Sequence, residues 1–390
     1  MGEAYIVAAA RTAGGRRNGR VAGWHPADLA GVVLDALIER SGADPAQVED
    51  VIMGCVSQAG EQSTNIARNA VLASKLPEGV PGVSVDRQCG SSQQALHFAA
   101  STVMSGVMDV VIAAGVESMS RAPMGLPSAV LSKAGYGDYK SPRQEERYPG
   151  IVFSQFPGAE MLAVKHGFSK DDLDRFGFDS QRKAIAATKA GKFEREIVPL
   201  EVTQADGSKA LHTIDEGIRF DVTLEGIQGV KLIQEGGRVT AATASQICDG
   251  ASGVMVVNER GLKALGVTPL ARIHSMTVSA GDPVIMLEEP LFATDKALKR
   301  AGLSIGDIDL YEVNEAFAPV PMAWLKHTGA DPERLNVHGG AIALGHPLGG
   351  SGTKLMTTLV HALHDRGKRY GLQTMCEGGG LANVTIVERL

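Results

Sequence analysis

Aromatic residues are scarce in this chain, at 5% of 390 positions, and cysteines number only four, at positions 55, 89, 248 and 376. None of these forms a C-x-x-C pair or has histidines at zinc spacing, so neither a disulfide framework nor a bound metal is expected. Nowhere do about 18 apolar residues run together, which leaves no candidate for a membrane-spanning helix. Excess charge of one sign is also missing. Lys and Arg total 38 against 44 Asp and Glu, a formal −6, so no basic field exists to gather nucleic acid or an anionic membrane. The strand-like run Ala4 to Ala10 begins almost at once without a signal-peptide pattern, and Val387-Glu388-Arg389-Leu390 is not a peroxisomal Ser-Lys-Leu tail. The expectation is a soluble, unprocessed, cytoplasmic protein without nucleic-acid partners or membrane insertion.

Glycine, in contrast, is plentiful: 47 residues, clustered in motifs, which points to tight turns and close backbone approaches. With 44% hydrophobic content the chain can bury a sizeable core spread over two or three domains. It also repeats itself. Ala36-Leu-Ile-Glu-Arg-Ser-Gly42 followed by Val48-Glu-Asp-Val-Ile52 recurs as Ala297-Leu-Lys-Arg-Ala-Gly302 followed by Ile305-Gly-Asp-Ile-Asp-Leu310, each a helix, a glycine stop and a strand. Ser84 to Gly115 and Asn336 to Cys376 likewise each read as strand, loop, helix, strand. Helical periods alternate with β-branched runs such as Val110-Val-Ile-Ala-Ala114, which predicts two similar α/β halves, each a mixed sheet flanked by helices, placed face to face. From about Ser118 to about Asp249 the pattern turns charged and Pro-containing, with a helix from Lys170 to Gly191, and reads as an insertion.

Four segments carry residue types suited to chemistry. Cys89, in Val85-Asp-Arg-Gln-Cys-Gly-Ser-Ser92, precedes a helix whose Leu96, Ala99, Val103 and Val107 share a face and whose stop is Gly106. A thiol at a helix N-terminus meets unsatisfied N–H groups that favour a thiolate or an oxyanion. A cysteine taken at random is more often a small buried apolar residue. His346 is set in Gly339-Gly-Ala-Ile-Ala-Leu-Gly-His-Pro-Leu-Gly-Gly-Ser-Gly352, where crowded glycines bring backbone close to something and a histidine can serve as base or as plain structure. The P-loop spacing fails there, because Ser351-Gly352 follows Gly350 instead of Lys-Ser. Cys376 ends a strand before Gly378-Gly-Gly380, and Asn314 ends another in Tyr311-Glu-Val-Asn-Glu-Ala-Phe-Ala318, where a helix cap is the plain alternative.

Together and in this order, Arg87-Gln-Cys-Gly-Ser91, Asn314-Glu-Ala-Phe-Ala318, Gly339-Gly-Ala-Ile-Ala-Leu-Gly-His-Pro347 and Cys376-x-Gly-Gly-Gly380 resemble the thiolase family, and the resemblance runs over essentially the whole chain. It implies a duplicated α/β fold of five layers, with an N-terminal half at 1–118 plus 250–269, a CoA-binding loop domain inserted at 119–249, and a C-terminal half at 270–390. It implies reversible condensation and thiolysis of 3-ketoacyl-CoA, with acyl-CoA and CoA as substrates, no permanently bound cofactor, and a homodimer or homotetramer. Cys89 is then the nucleophile, His346 its activator and Cys376 the acid/base. Asn314, holding a water beside His346, and Gly378, with the Cys89 amide, would furnish two oxyanion holes. Arg219 and Ser245 match CoA contacts, and Met286 a pocket residue of short-chain members, whereas Ser154-Gln-Phe-Pro157 resembles loops of members that act on larger acyl groups.

The chain departs from the family pattern in places. Ala242-Thr243 replaces a frequent Gly-Asn, Ser92 replaces a glycine, and Glu377 stands where an apolar residue is commoner and would raise the pKa of Cys376 if it faced the site. Two other readings stand beside thiolysis: a decarboxylating β-ketoacyl synthase, for which a second histidine should replace Cys376, and a non-catalytic CoA or lipid carrier.

Overall fold

The computed structural model describes residues 2–204 and 206–390. Strands β1 (Tyr5–Thr12), β2 (Asp50–Gly54), β3 (Gly82–Val85), β4 (Val110–Ser118) and β5 (Cys248–Val257) lie in the order β1-β5-β4-β2-β3. Strands β6 (Ala271–Ala280), β7 (Leu310–Val313), β8 (Tyr370–Glu377) and β9 (Leu381–Arg389) lie in the order β7-β8-β9-β6. Each half repeats one pairing scheme. β2 runs parallel to β4, and β5 antiparallel to both β4 and β1; β7 runs parallel to β8, and β9 antiparallel to both β8 and β6. A short antiparallel seam, Tyr5 opposite Arg272 and Ile6 opposite Ala271, joins the two sheets at their β1 and β6 edges.

The main helices are α1 (Pro26–Ser41), α2 (Ile66–Leu72), α3 (Ser91–Ser105), α4 (Gln155–His166), α5 (Lys170–Lys189), α6 (Glu289–Ala301), α7 (Pro319–Thr328) and α8 (Ser351–Asp365). The duplicated signature is real in space: α1 and α6 both end on left-handed glycines, Gly42 at φ 64° and Gly302 at φ 68°, and each is followed by a single 3₁₀ turn and a strand. Alternation along β4 feeds two cores. Val110, Ile112, Ala114 and Val116 pack with Leu34 and Leu37 of α1, while Val111 and Ala113 face Leu96, Ala99 and Val103 of α3 and Met356, Leu359 and Leu363 of α8. A third core gathers Leu291 and Leu298 of α6, Trp324 of α7, Val313 and Ile386. The layers are therefore helix, sheet, a central α3–α8 layer, sheet, helix. One expectation about α3 fails: it stops at Gly106 (φ 76°) as read, so Val107 lies beyond the buried face and is 73% exposed.

The segment between β4 and β5 carries α4, α5 and a small hairpin, Leu200–Thr203 with Lys209–His212. It is tied to β1 by the buried Arg11 guanidinium, which meets Glu196 at 2.6 Å and Asp215 at 2.8 Å. Removing one partner of such a dry pair leaves an uncompensated charge.

The central layer depends on one close crossing. A Cβ placed on Gly352, at the start of α8, would lie 2.1 Å from the Gln93 backbone nitrogen in α3. Beside it the Ser92 hydroxyl accepts the Thr353 N–H at 3.0 Å, so the serine that departs from the family pattern caps the opposing helix. Gly352→Ala forces the two helices apart. Denaturant unfolding should show a loss of about 1–3 kcal/mol, the usual range for overpacking, whereas an unchanged midpoint would mean that the crossing is slack.

Candidate active site

Because α3 and α8 occupy equivalent places in the two halves, their crossing sets the loop before each helix side by side. The α3 loop carries Cys89 and the α8 loop carries His346. Cys89 follows Gln88, a non-glycine residue at φ 50°, and the turn is clamped on both sides. The Gln88 N–H donates to Asp86 Oδ1 at 2.7 Å, and Ser91 Oγ accepts the Arg87 N–H at 2.9 Å while donating to the Gln88 carbonyl at 2.6 Å. This bent backbone turns the thiol into a pocket where it is 2% exposed. Burial pushes the Cys89 thiol up to about 12; the Gln155 carboxamide and the Cys89 and Gly378 amides pull the other way, and Glu377 adds to the rise. The expectation of a thiolate favoured by the helix N-terminus is therefore corrected for the free protein, in which desolvation outweighs the donors. Gln155 reaches the sulfur, its Nε2 donating to Cys89 Sγ at 3.7 Å.

The tautomer of His346 follows from its neighbours. Ser351 Oγ donates to the Pro347 carbonyl at 2.9 Å, so toward the imidazole it acts as acceptor and takes the Nδ1 proton at 2.5 Å. That makes Nε2 an acceptor, and Asn314 Nδ2 donates to its lone pair at 3.4 Å. Burial, with the nearby Lys354 charge, lowers the imidazole pKa to about 3, so the ring is neutral. Asn314 Oδ1 is buried and has no hydrogen-bond partner among the described residues. Lys354 Nζ donates to the carbonyls of Leu344 and Gly345, and Glu117 accepts from the Gly349 N–H at 2.8 Å, so both ends of the histidine loop are held. The same carboxylate accepts from Val56, Ser57 and Gln62 of the first half. Neither Lys354 nor Glu117 was legible as a site residue, since each is an isolated charge in an apolar run.

Cys376, at the end of β8, is 1% exposed. Burial, then Cys89, then Glu377 hold its thiol well above the usual range. The Glu377 side chain itself lies under the nucleophile loop: a Cβ on Gly90 would fall 1.9 Å from its Oε1. Neither carboxyl oxygen has a hydrogen-bond partner among the described residues, and burial raises the group to about 8 against the pull of the Arg87 guanidinium.

The other expected contacts separate. Arg219 lines a cleft of about 200 Å³ with Gln181, Thr223, Ala242 and Ile342, on the inserted segment. Ser245 is not part of that lining; its N–H donates to the Ala316 carbonyl at 2.9 Å. Met286 has φ 62° and is buried in the same apolar cluster as Cys376 and Phe317. Among the described residues no group of His, Cys, Asp or Glu has metal-binding geometry.

Comparison with known proteins agrees with this arrangement. Residues 4–260 match the family described as "Thiolase, N-terminal domain" and residues 267–389 match "Thiolase, C-terminal domain". The chain belongs to the thiolase family. It is 50% identical to a steroid 3-ketoacyl-CoA thiolase of Mycobacterium tuberculosis, over 100% of this chain and 95% of that one. It is 40% identical to a 3-ketoacyl-CoA thiolase of Pseudoalteromonas translucida and to an acetyl-CoA acetyltransferase of Cupriavidus necator, in both cases over the full length of each. The crystal structure of human mitochondrial 3-ketoacyl-CoA thiolase superposes with a TM-score of 0.90 at 36% identity, covering 100% of this chain and 99% of that one. This thiolase is thus an acyltransferase, and neither the carrier nor the synthase reading is favoured.

Its buried Glu377 yields a pH prediction. A carboxyl that ionises near 4.5 when unfolded and near 8 when folded binds more protons in the folded state between those values, so it lowers stability progressively as pH rises through that window. Glu377→Gln removes this liability. Melting curves should show the variant gaining on the parent from pH 5 to pH 8, by an amount on the order of a few kcal/mol at the upper end. Parallel curves across that range would mean the carboxyl is solvated.

Proposed function

We propose that this thiolase cleaves and forms bulky 3-ketoacyl-CoA thioesters through an acyl-Cys89 intermediate. What carries the reading is the convergence of two buried thiols, Cys89 and Cys376, with the Gly378 amide aimed at the first. In thiolysis Cys89 passes its proton to the unprotonated Nε2 of His346 as substrate arrives and the Asn314 amide gives way, and the sulfur attacks the 3-keto carbon. The amides of Cys89 and Gly378 hold the oxyanion that forms. The C2–C3 bond breaks with its electron pair on C2, and Cys376 donates its proton there, releasing acetyl-CoA. The thioester oxygen of the transient enolate is held by His346 and by a water on Asn314, whose unpartnered Oδ1 supports that role. CoA then gives its thiol proton to Cys376 and attacks acyl-Cys89; the Cys89–acyl bond breaks, acyl-CoA leaves, and the expelled Cys89 sulfur takes its proton back from His346.

CoA is assigned to the cleft of Arg219, with Ser245 on the pantetheine path and Met286 against the acyl group, and no resident cofactor takes part. A bulky acyl group is supported by a second cleft of about 330 Å³ beside the first turn of α4, lined by Phe156, Pro157, Ile233 and Val239. The steroid thiolase among the relatives points the same way. The unpaired outer edge of β3, with Val83 exposed, supports assembly as a homodimer or homotetramer. Among the described residues no helix is long and apolar enough to cross a membrane, in keeping with a cytoplasmic enzyme.

The test compares thiolysis of acetoacetyl-CoA with that of a branched or ring-bearing 3-ketoacyl-CoA. The larger substrate should give the higher kcat/KM, and preference for acetoacetyl-CoA would overturn the bulky assignment. Cys89→Ala should abolish acyl-enzyme in mass spectrometry. Cys376→Ser should still be acylated by acetyl-CoA while carbon–carbon cleavage falls by roughly a thousandfold, within the range for loss of a general acid; normal turnover would remove Cys376 from the chemistry.

A further inference from the structure

The inserted segment reaches the reacting sulfur through a single side chain. Gln155 is the first residue of α4, and its Nε2 lies 3.7 Å from Cys89 Sγ. The neighbouring residues fix it there. Phe156 makes an edge-to-face contact with Phe317 at 5.5 Å between centroids, and Gly158 is pressed so close to the strained loop at Met286 that an added Cβ would fall 2.7 Å from the Ile285 carbonyl. The Ser154 side chain makes no capping bond at the start of α4. A glutamine amide is neutral at every working pH, offers two N–H donors and cannot remove a proton. Next to a sulfur that must become an anion in a dry site, it can act only by donating.

We propose that Gln155 is a further catalytic residue, a hydrogen-bond donor from the inserted segment that stabilises the Cys89 thiolate during attack. The sulfur then has two kinds of donor: backbone amides from the two halves, which stay to hold the substrate oxyanion, and a side chain from the segment that carries the CoA cleft. Once acylated, the sulfur carries no charge and the Gln155 amide is released from it. Formation of the thiolate is therefore coupled to the position of α4, and through α4 to whatever fills the cleft of Phe156 and Pro157. This assignment rests on Cys89 being the nucleophile.

Gln155→Met keeps the length and removes the donor, and Gln155→Glu keeps the length and places a negative charge at the sulfur. The rate of Cys89 alkylation by iodoacetamide, with the modified residue identified by peptide mapping, is followed from pH 6 to pH 10 in the full-length wild type and both variants. Because the Cys89 thiol titrates above this range, Gln155→Met should slow alkylation roughly tenfold at every pH within it, the loss expected for one hydrogen bond to a charged group. Gln155→Glu should be slower still at every pH above its own ionisation. Acyl-enzyme formation from acetyl-CoA should fall in the same order, with the effect in kcat/KM. If Cys89 is not the residue alkylated in the wild type, the nucleophile assignment fails. If it is, and the Gln155→Met profile superimposes on the wild type, the role of Gln155 is overturned; should that variant not fold, a Gln155→Glu profile matching the wild type overturns it equally.

Discussion

Everything at this site hangs on the approach of two helix N-termini in the central layer. Only a glycine at 352 lets the α8 backbone come within reach of Gln93 in α3, and only that approach sets the Cys89 turn beside the histidine loop. The buried Glu117 reinforces it by accepting amides of both halves, Val56 and Ser57 from the first and Gly349 from the histidine loop, so the two halves are registered through backbone groups. Geometry held in this way costs no reorganisation at the moment of reaction.

The second constraint is dryness. Cys89, Cys376, His346 and Glu377 are all buried, and each is pushed toward its neutral form. Burial thus disfavours charge on each of these four groups in the free protein. This explains why a helix start and several N–H donors do not by themselves give a standing thiolate. It also separates the roles of the two thiols. Cys89 has donors aimed at it, while Cys376 has Cys89 and Glu377 as its electrostatic neighbours, which suits one to leaving as an anion and the other to holding a proton.

The sequence made much of this legible, for identifiable reasons. Glycine stops at 42, 106 and 302 work locally through a left-handed φ, and a local rule survives folding. The duplication was visible because the order of elements repeats, and the four motifs stand at strand ends and loop turns where glycine spacing is informative. What stayed hidden depends on long-range contact. Gln155 reaches Cys89 across 66 positions, Glu117 reaches Gly349 across 232, and Lys354 caps carbonyls that nothing in its helical period reveals. Val107 was misassigned to the buried face of α3 because apolar spacing continues past the point where Gly106 ends the helix. The neutrality of the nucleophile was missed for a related reason: a helix N-terminus can be read from sequence, whereas burial of its sulfur cannot.

The matched pairing of strands in the two halves has an evolutionary consequence. Cys89 and His346 fill the same topological slot, the turn before the central helix of each half, and Cys55 and Asn314 fill another, the residue after β2 and after β7. Two identical halves would have placed thiol opposite thiol or imidazole opposite imidazole, without the unlike nucleophile and base. Such asymmetry is open to a chain that carries both copies, because each slot is then encoded separately.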